Sequence, residues 1–150
     1  MNDQANAAPH QMPPEAQLMQ MLSGAFVSAA VYVAAKLGIP GLRADGAKTT
    51  TELAAESATD EHSLYRLLRA LASVGIFTES EGRLFANTPM SDTLRADAPN
   101  STLYMTLWMF DEQHWRVYGH LLESVQTGKT VWDKVYGEPV FKTLFETNRE

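Results

Sequence analysis

The chain has 150 residues, a formal net charge of −6 and no cysteine, a length that suits one ordinary domain with or without a tail. Without cysteine there are no disulfides, thiolate nucleophiles or cysteine-held metals, and the composition fits a cytoplasmic setting. The acidic balance lacks the basic face with which a DNA-binding domain neutralises phosphates, so no nucleic-acid partner is expected.

Residues 1–14 (MNDQANAAPHQMPP) are polar, proline-bearing and aperiodic, which predicts a disordered tail. The first Lys or Arg is Lys36, so the N-terminus lacks the basic region of a secretory signal. Pro14 suits a first helical turn, and the helix it opens is expected to run to about Leu37 and stop at Gly38. Ala16 to Ala35 carries no charge over a length close to that of a bilayer span. Its Gln17, Gln20, Ser23 and Ser28, and its alanine richness, favour a protein-covered helix over a membrane one. Leu18, Met21, Leu22 and Ala25 share one side, while Phe26, Ala30, Val33 and Leu37 cover another. A helix apolar most of the way round must be covered most of the way round. A second copy of the same helix is the expected cover, through Leu18, Leu22, Ala25, Phe26, Ala29 and Val33.

Thr49 to Glu52 (TTTE) predicts a capping box that opens a short helix, ELAAESA. Thr59 or Asp60 should cap the next helix, whose Leu64, Leu67, Leu68, Leu71 and Val74 form a core-facing stripe up to Gly75. Ile76–Glu79 and Arg83–Ala86 are expected as two strands around the turn Ser80-Glu81-Gly82. Helix, turn, helix and hairpin in this order predict a mainly α fold of winged helix-turn-helix topology. After a short helix or turn at Thr88–Arg95, one long helical region is expected from Ser101 to about Gln126. A last helix is expected from Val140 to Asn148. The predicted organisation is a tail (1–14), a winged-helix dimerisation unit (15–98) and a helical lid segment (99–150).

Candidate chemistry is sparse. His62, Tyr65, Arg66 and Arg69 occupy the helix that would enter a major groove, yet arginines on an exposed helix are more commonly plain solvation. His114 and His120 lie six apart and diverge on a helix, so Asp111, Glu112 and His114 are not expected to hold a metal. His114 is expected as a half-buried helix histidine, hydrogen-bonded at its rim. No GxSxG, P-loop or glycine-rich strand-to-helix turn occurs, so neither catalytic nor cofactor-binding residues are expected in this chain. Tyr104, Met105, Trp108, Met109, Phe110, Trp115, Trp132 and Phe141 make the second half rich in flat and adaptable side chains suited to aromatic small molecules.

The stretch LGIPGL…TTTELAAES…SLYRLLRALASVGIFTES…RLFANTPMSDTLR resembles the N-terminal dimerisation domain of small-molecule O-methyltransferases of the caffeate, acetylserotonin and bacterial antibiotic-pathway types. The run HWRVYGHLLESVQTGKTVWDKVYGEPVF looks like the next segment in that family. The resemblance implies an intimate homodimer whose helices roof an acceptor pocket. It also implies a separate Rossmann-like domain that binds S-adenosylmethionine and carries a catalytic histidine. Carried over by position from Trp115 and Tyr136-Gly137, the substrate-lining places fall at Met105, Thr106, Met109, Val140 and Leu144. On this reading the chain stops before the donor domain and should not methylate anything alone. The competing expectations are a winged-helix regulator that binds DNA or an aromatic effector, and a dimer completed by a separate donor-binding chain.

Overall fold

The computed structural model describes residues 12–142, the Phe141 side chain aside. Helix α1 (Pro14–Lys36) begins with proline in its first turn, and the chain leaves it through Gly38 in the left-handed region. A short α2 (Ile39–Leu42) comes next, with Ile39 and Pro40 buried. Strand β1 (Lys48–Thr49) leads into α3 (Thr50–Ser57). The expected capping box is present: Thr49 accepts from the Glu52 backbone N–H, and the Glu52 carboxylate accepts from Thr49. Helix α4 (Glu61–Ser73) is capped by Asp60, of the two expected candidates, which accepts from the Ser63 N–H at 2.8 Å.

Gly75, at φ +80°, turns the chain out of α4 into β2 (Phe77–Ser80), and β3 (Leu84–Asn87) returns beside it. The hairpin lies about one residue later than its sequence pattern predicts. Strand β1 pairs antiparallel with β3 as Lys48 opposite Phe85, and gives a sheet of order β1-β3-β2. Two residues cannot display an alternating pattern, so β1 is an addition to the predicted elements. The winged-helix arrangement is otherwise as expected. Leu64, Leu68 and Leu71 of α4 pack with Ala34, Ile39, Leu53, Ile76, Phe77 and Phe85 into one core. Val74, assigned to the same stripe, is exposed, because it already lies past the last turn of α4.

A polar pin ties this core to the chain beyond β3. Arg43 is only 2% exposed; its guanidinium stacks 4.0 Å from the Phe77 ring centre and donates to Asn87 Oδ1 at 2.9 Å. Asn87 in turn donates to the Pro40 carbonyl and to Asp92. Burial pushes the Arg43 guanidinium down to about 10, against the pull of Asp92. Past β3, Thr88 caps α5 (Pro89–Asp92) with a second capping box.

The long helical region expected from Ser101 is divided into three helices: α6 (Leu103–Met109), α7 (Glu112–Tyr118) and α8 (Leu121–Thr127). The first break comes where Asp111 leaves helical geometry to cap α7 through the His114 N–H. The second comes at Gly119-His120, where glycine gives the helix little to hold on to. Helices α9 (Trp132–Tyr136) and α10 (Val140–Lys142) complete the described chain. The expected continuation to Asn148 lies outside the described residues.

The two caps predict an acid response. Hydrogen bonds from Thr49 and Ser63 hold the Glu52 and Asp60 carboxyls below their ordinary values. A depressed folded value means that the stabilisation is complete above the unfolded value and fades as pH falls through the folded one. Thermal melts of Asp60→Ala should therefore fall below wild type at neutral pH and converge with it below about pH 4. A gap that persists unchanged into acid would contradict the capping role.

Candidate functional site

Two surfaces carry what the core does not explain. The first is α1, whose Ala34 and Ala35 are buried while Ala30, Val31 and Leu37 pack on the core. The opposite side is bare. Phe26 is 80% exposed, and Leu18, Met19, Met21, Leu22 and Val33 are exposed as well. Ala25 is exposed and Ala29 half-buried. The six predicted interface residues thus lie together along the uncovered side, joined by Met19 and Met21. Helix α1 is also long and apolar enough to cross a membrane by length and composition.

The second surface is the α6–α9 region, held by rings in edge-to-face and tilted contact. Trp108 stands 4.8 Å from His114, His114 stands 5.7 Å from Trp132, and Trp132 stands 4.9 Å from Tyr136. Asp111 serves twice here, accepting from the His114 backbone N–H at 2.9 Å and meeting its Nδ1 at 2.7 Å. The Tyr136 hydroxyl donates to the Gln113 carbonyl, and burial raises its phenol above the usual value. Trp132 is buried, whereas Trp108 at the other end is half exposed (50%). Around Trp108 lie Tyr104, Met105 and Met109, also exposed.

Of the predicted lining residues, Met105 and Met109 sit on this open face of α6, with Thr106 half-buried on the same helix. Val140 is half-buried on α10, and Leu144 lies outside the described residues. The ring partners of His114 are not legible in the sequence, because Trp132 lies 18 positions along the chain and Trp108 on another helix.

His114 is half-buried and bonded to Asp111, as expected, and this pairing serves the start of α7. Among the described residues no group of three or more His, Asp or Glu stands ready to hold a metal. Nor do these residues fit S-adenosylmethionine. At the strand-to-helix junctions β1→α3 and β3→α5 first-turn N–H groups that a nucleotide would need are already taken: Glu52 donates to Thr49 Oγ1, Thr50 to the Arg83 carbonyl, and Met90 and Ser91 to Thr88 Oγ1.

The fold and its surfaces define a winged-helix-like domain whose first helix leaves one apolar side uncovered. Residues 19–97 match the model of the O-methyltransferase dimerisation domain, and the chain belongs to that family. It is 40% identical to the phenazine O-methyltransferase PhzM of Lysobacter antibioticus, over 89% of this chain and 39% of that protein. The crystal structure of the N,N-8-amino-8-demethyl-D-riboflavin dimethyltransferase RosA from Streptomyces davawensis superposes with a TM-score of 0.82 at 35% identity, over 89% of this chain and 40% of that one. CalO1, a methyltransferase of calicheamicin biosynthesis solved in an SAH-bound form, gives a TM-score of 0.74 at 27% identity, again over 89% and 40%. The chain therefore spans about 39% of the length of the curated relative it matches.

Proposed function

We propose that this chain is the homodimerisation and acceptor-lid portion of an S-adenosylmethionine-dependent O-methyltransferase acting on a small aromatic or polyketide-like hydroxyl. The observation that carries the reading is the uncovered apolar side of α1, most of which falls within the region matched by the dimerisation model. The reading divides dimerisation unit from lid near Ala98, and is supported by a core cluster whose buried members all lie between Ala34 and Phe85. In the lid, Met105, Thr106 and Met109 of α6 would face the acceptor with Val140 and Leu144. Flat and adaptable side chains suit planar acceptors. SAH is the demethylated form of S-adenosylmethionine, and the SAH-bound relative supports that donor. The donor and the catalytic histidine are assigned to a part of the enzyme other than these residues. The reading includes a soluble, cytoplasmic enzyme without a nucleic-acid partner, and assigns α1 to protein rather than to lipid.

In the enzyme that carries this segment, Met109→Trp should raise KM for hydroxylated phenazine acceptors at least several-fold and leave KM for S-adenosylmethionine unchanged. Equal effects on both, or no effect on either, would remove Met109 from the lid. Labelled donor with a panel of planar hydroxy-aromatics tests the reaction itself, and no transfer to any of them overturns it. Residues 1–150 alone are expected to transfer no methyl group. Flotation of the chain with phosphatidylcholine vesicles would favour a membrane role for α1, and a salt-sensitive gel shift would favour the regulator.

A further inference from the structure

We infer that His114 is a specificity residue for the acceptor: its Nε2 takes a hydrogen bond from a second donor group, a hydroxyl or ring N–H, on a planar molecule lying against Trp108. The inference rests on the acceptor-lid reading above and adds to it a polar group that chooses among flat acceptors. Three neighbours hold the imidazole in place. Asp111 Oδ1 lies 2.7 Å from Nδ1, and the ring centres of Trp108 and Trp132 stand 4.8 Å and 5.7 Å away. A carboxylate accepts and does not donate, so Nδ1 carries the proton and Nε2 of the neutral ring carries the lone pair. Nε2 has no hydrogen-bond partner among the described residues. Nor is it one of the side-chain atoms buried without a partner, which are Arg43 Nε and Nη1 and Gln113 Oε1. It therefore belongs to the 13% of the His114 side chain that stays exposed. Trp132 is buried and Trp108 is half exposed, so the open side of the imidazole is the Trp108 side, where Tyr104, Met105 and Met109 extend the surface.

Helix capping does not account for this residue. Asp111 caps α7 by accepting the His114 backbone N–H, a bond that any residue but proline could make here. A ring needed only to fill the space between two tryptophans needs no polar atom, and a polar atom covered without a partner costs free energy. When an acceptor covers this surface, Nε2 loses its water and requires a donor in exchange. A hydroxyl or N–H on the acceptor's edge supplies one, whereas an ether or carbonyl oxygen offers only lone pairs. The group so bound is not the hydroxyl that is methylated, because the base for that proton is assigned above to another part of the enzyme.

The test uses the enzyme that carries this segment, S-adenosylmethionine, and matched mono- and dihydroxy acceptors on naphthalene and anthraquinone frames. Wild type should favour the dihydroxy member in kcat/KM by about tenfold, the worth of one hydrogen bond to a partly covered group. In His114→Phe this ratio should fall to near one, and His114→Gln, which keeps an acceptor near the Nε2 position, should retain part of it. A role confined to structure lowers both members alike, so a ratio equal in wild type and His114→Phe overturns the inference. A measurement on wild type needs no variant to fold: with nitrogen-15 histidine, the His114 Nε2 resonance should move on saturation with the dihydroxy member. A resonance that stays in place overturns the inference and leaves the lid reading intact. No methyl transfer to any member of any pair removes the methyltransferase reading, and the inference with it.

Discussion

Phe26→Asp should convert the chain from dimer to monomer at concentrations where wild type sediments as a dimer, with an affinity loss of more than about 100-fold. Phe26 is the most exposed large apolar residue of α1 and touches little of its own domain. Its replacement should leave the circular dichroism spectrum and the melting cooperativity of the monomer nearly intact. What is lost is burial across the interface, where a carboxylate would be taken from water without a partner. Ala34→Asp makes the opposite contrast: Ala34 is fully buried in the core, so this change should unfold the domain whatever its association. If Phe26→Asp sediments like wild type, α1 is not at the interface.

Asn87→Leu should cost about 2–3 kcal/mol in urea unfolding, the range for a buried charged donor that loses its hydrogen-bond acceptor. Asn87 supplies the acceptor for Arg43 and bridges it to the Pro40 carbonyl and to Asp92. Two other nitrogens of the guanidinium, Nε and Nη1, are buried without a hydrogen-bond partner. Removal of Asn87 thus leaves a nearly unsatisfied cation against Phe77. Because burial already works against this charge, Arg43→Met should be far milder, and the double variant should recover most of what Asn87→Leu loses. A single Asn87→Leu that costs under about 1 kcal/mol would show the pin to be dispensable.

Much of the fold is legible locally. Pro14, the TTTE box, the leucine stripe of α4 and Gly75 each act within one or two turns of chain, and each element stands where these residues place it. The exposed face of α1 is legible for a related reason. A helix without charge over five turns must be covered, and its sequence shows too little polarity for water to be the cover. The region after Ser101 misleads because apolar periodicity runs across Asp111 and Gly119, which break the backbone through capping and weak propensity.

Residue types and their spacing alone determined the helix caps, the order of elements, the family resemblance and the surplus of apolar helix. Tertiary structure alone decided the Arg43–Asn87 pin, the pairing of β1 with β3 and the Trp108–His114–Trp132–Tyr136 ladder. Hydrogen-bonded caps act between neighbours in the chain, whereas stacking and charge burial depend on which distant segments the core brings together. A side chain's partner across 44 residues, as for Arg43 and Asn87, has no periodic trace in the sequence.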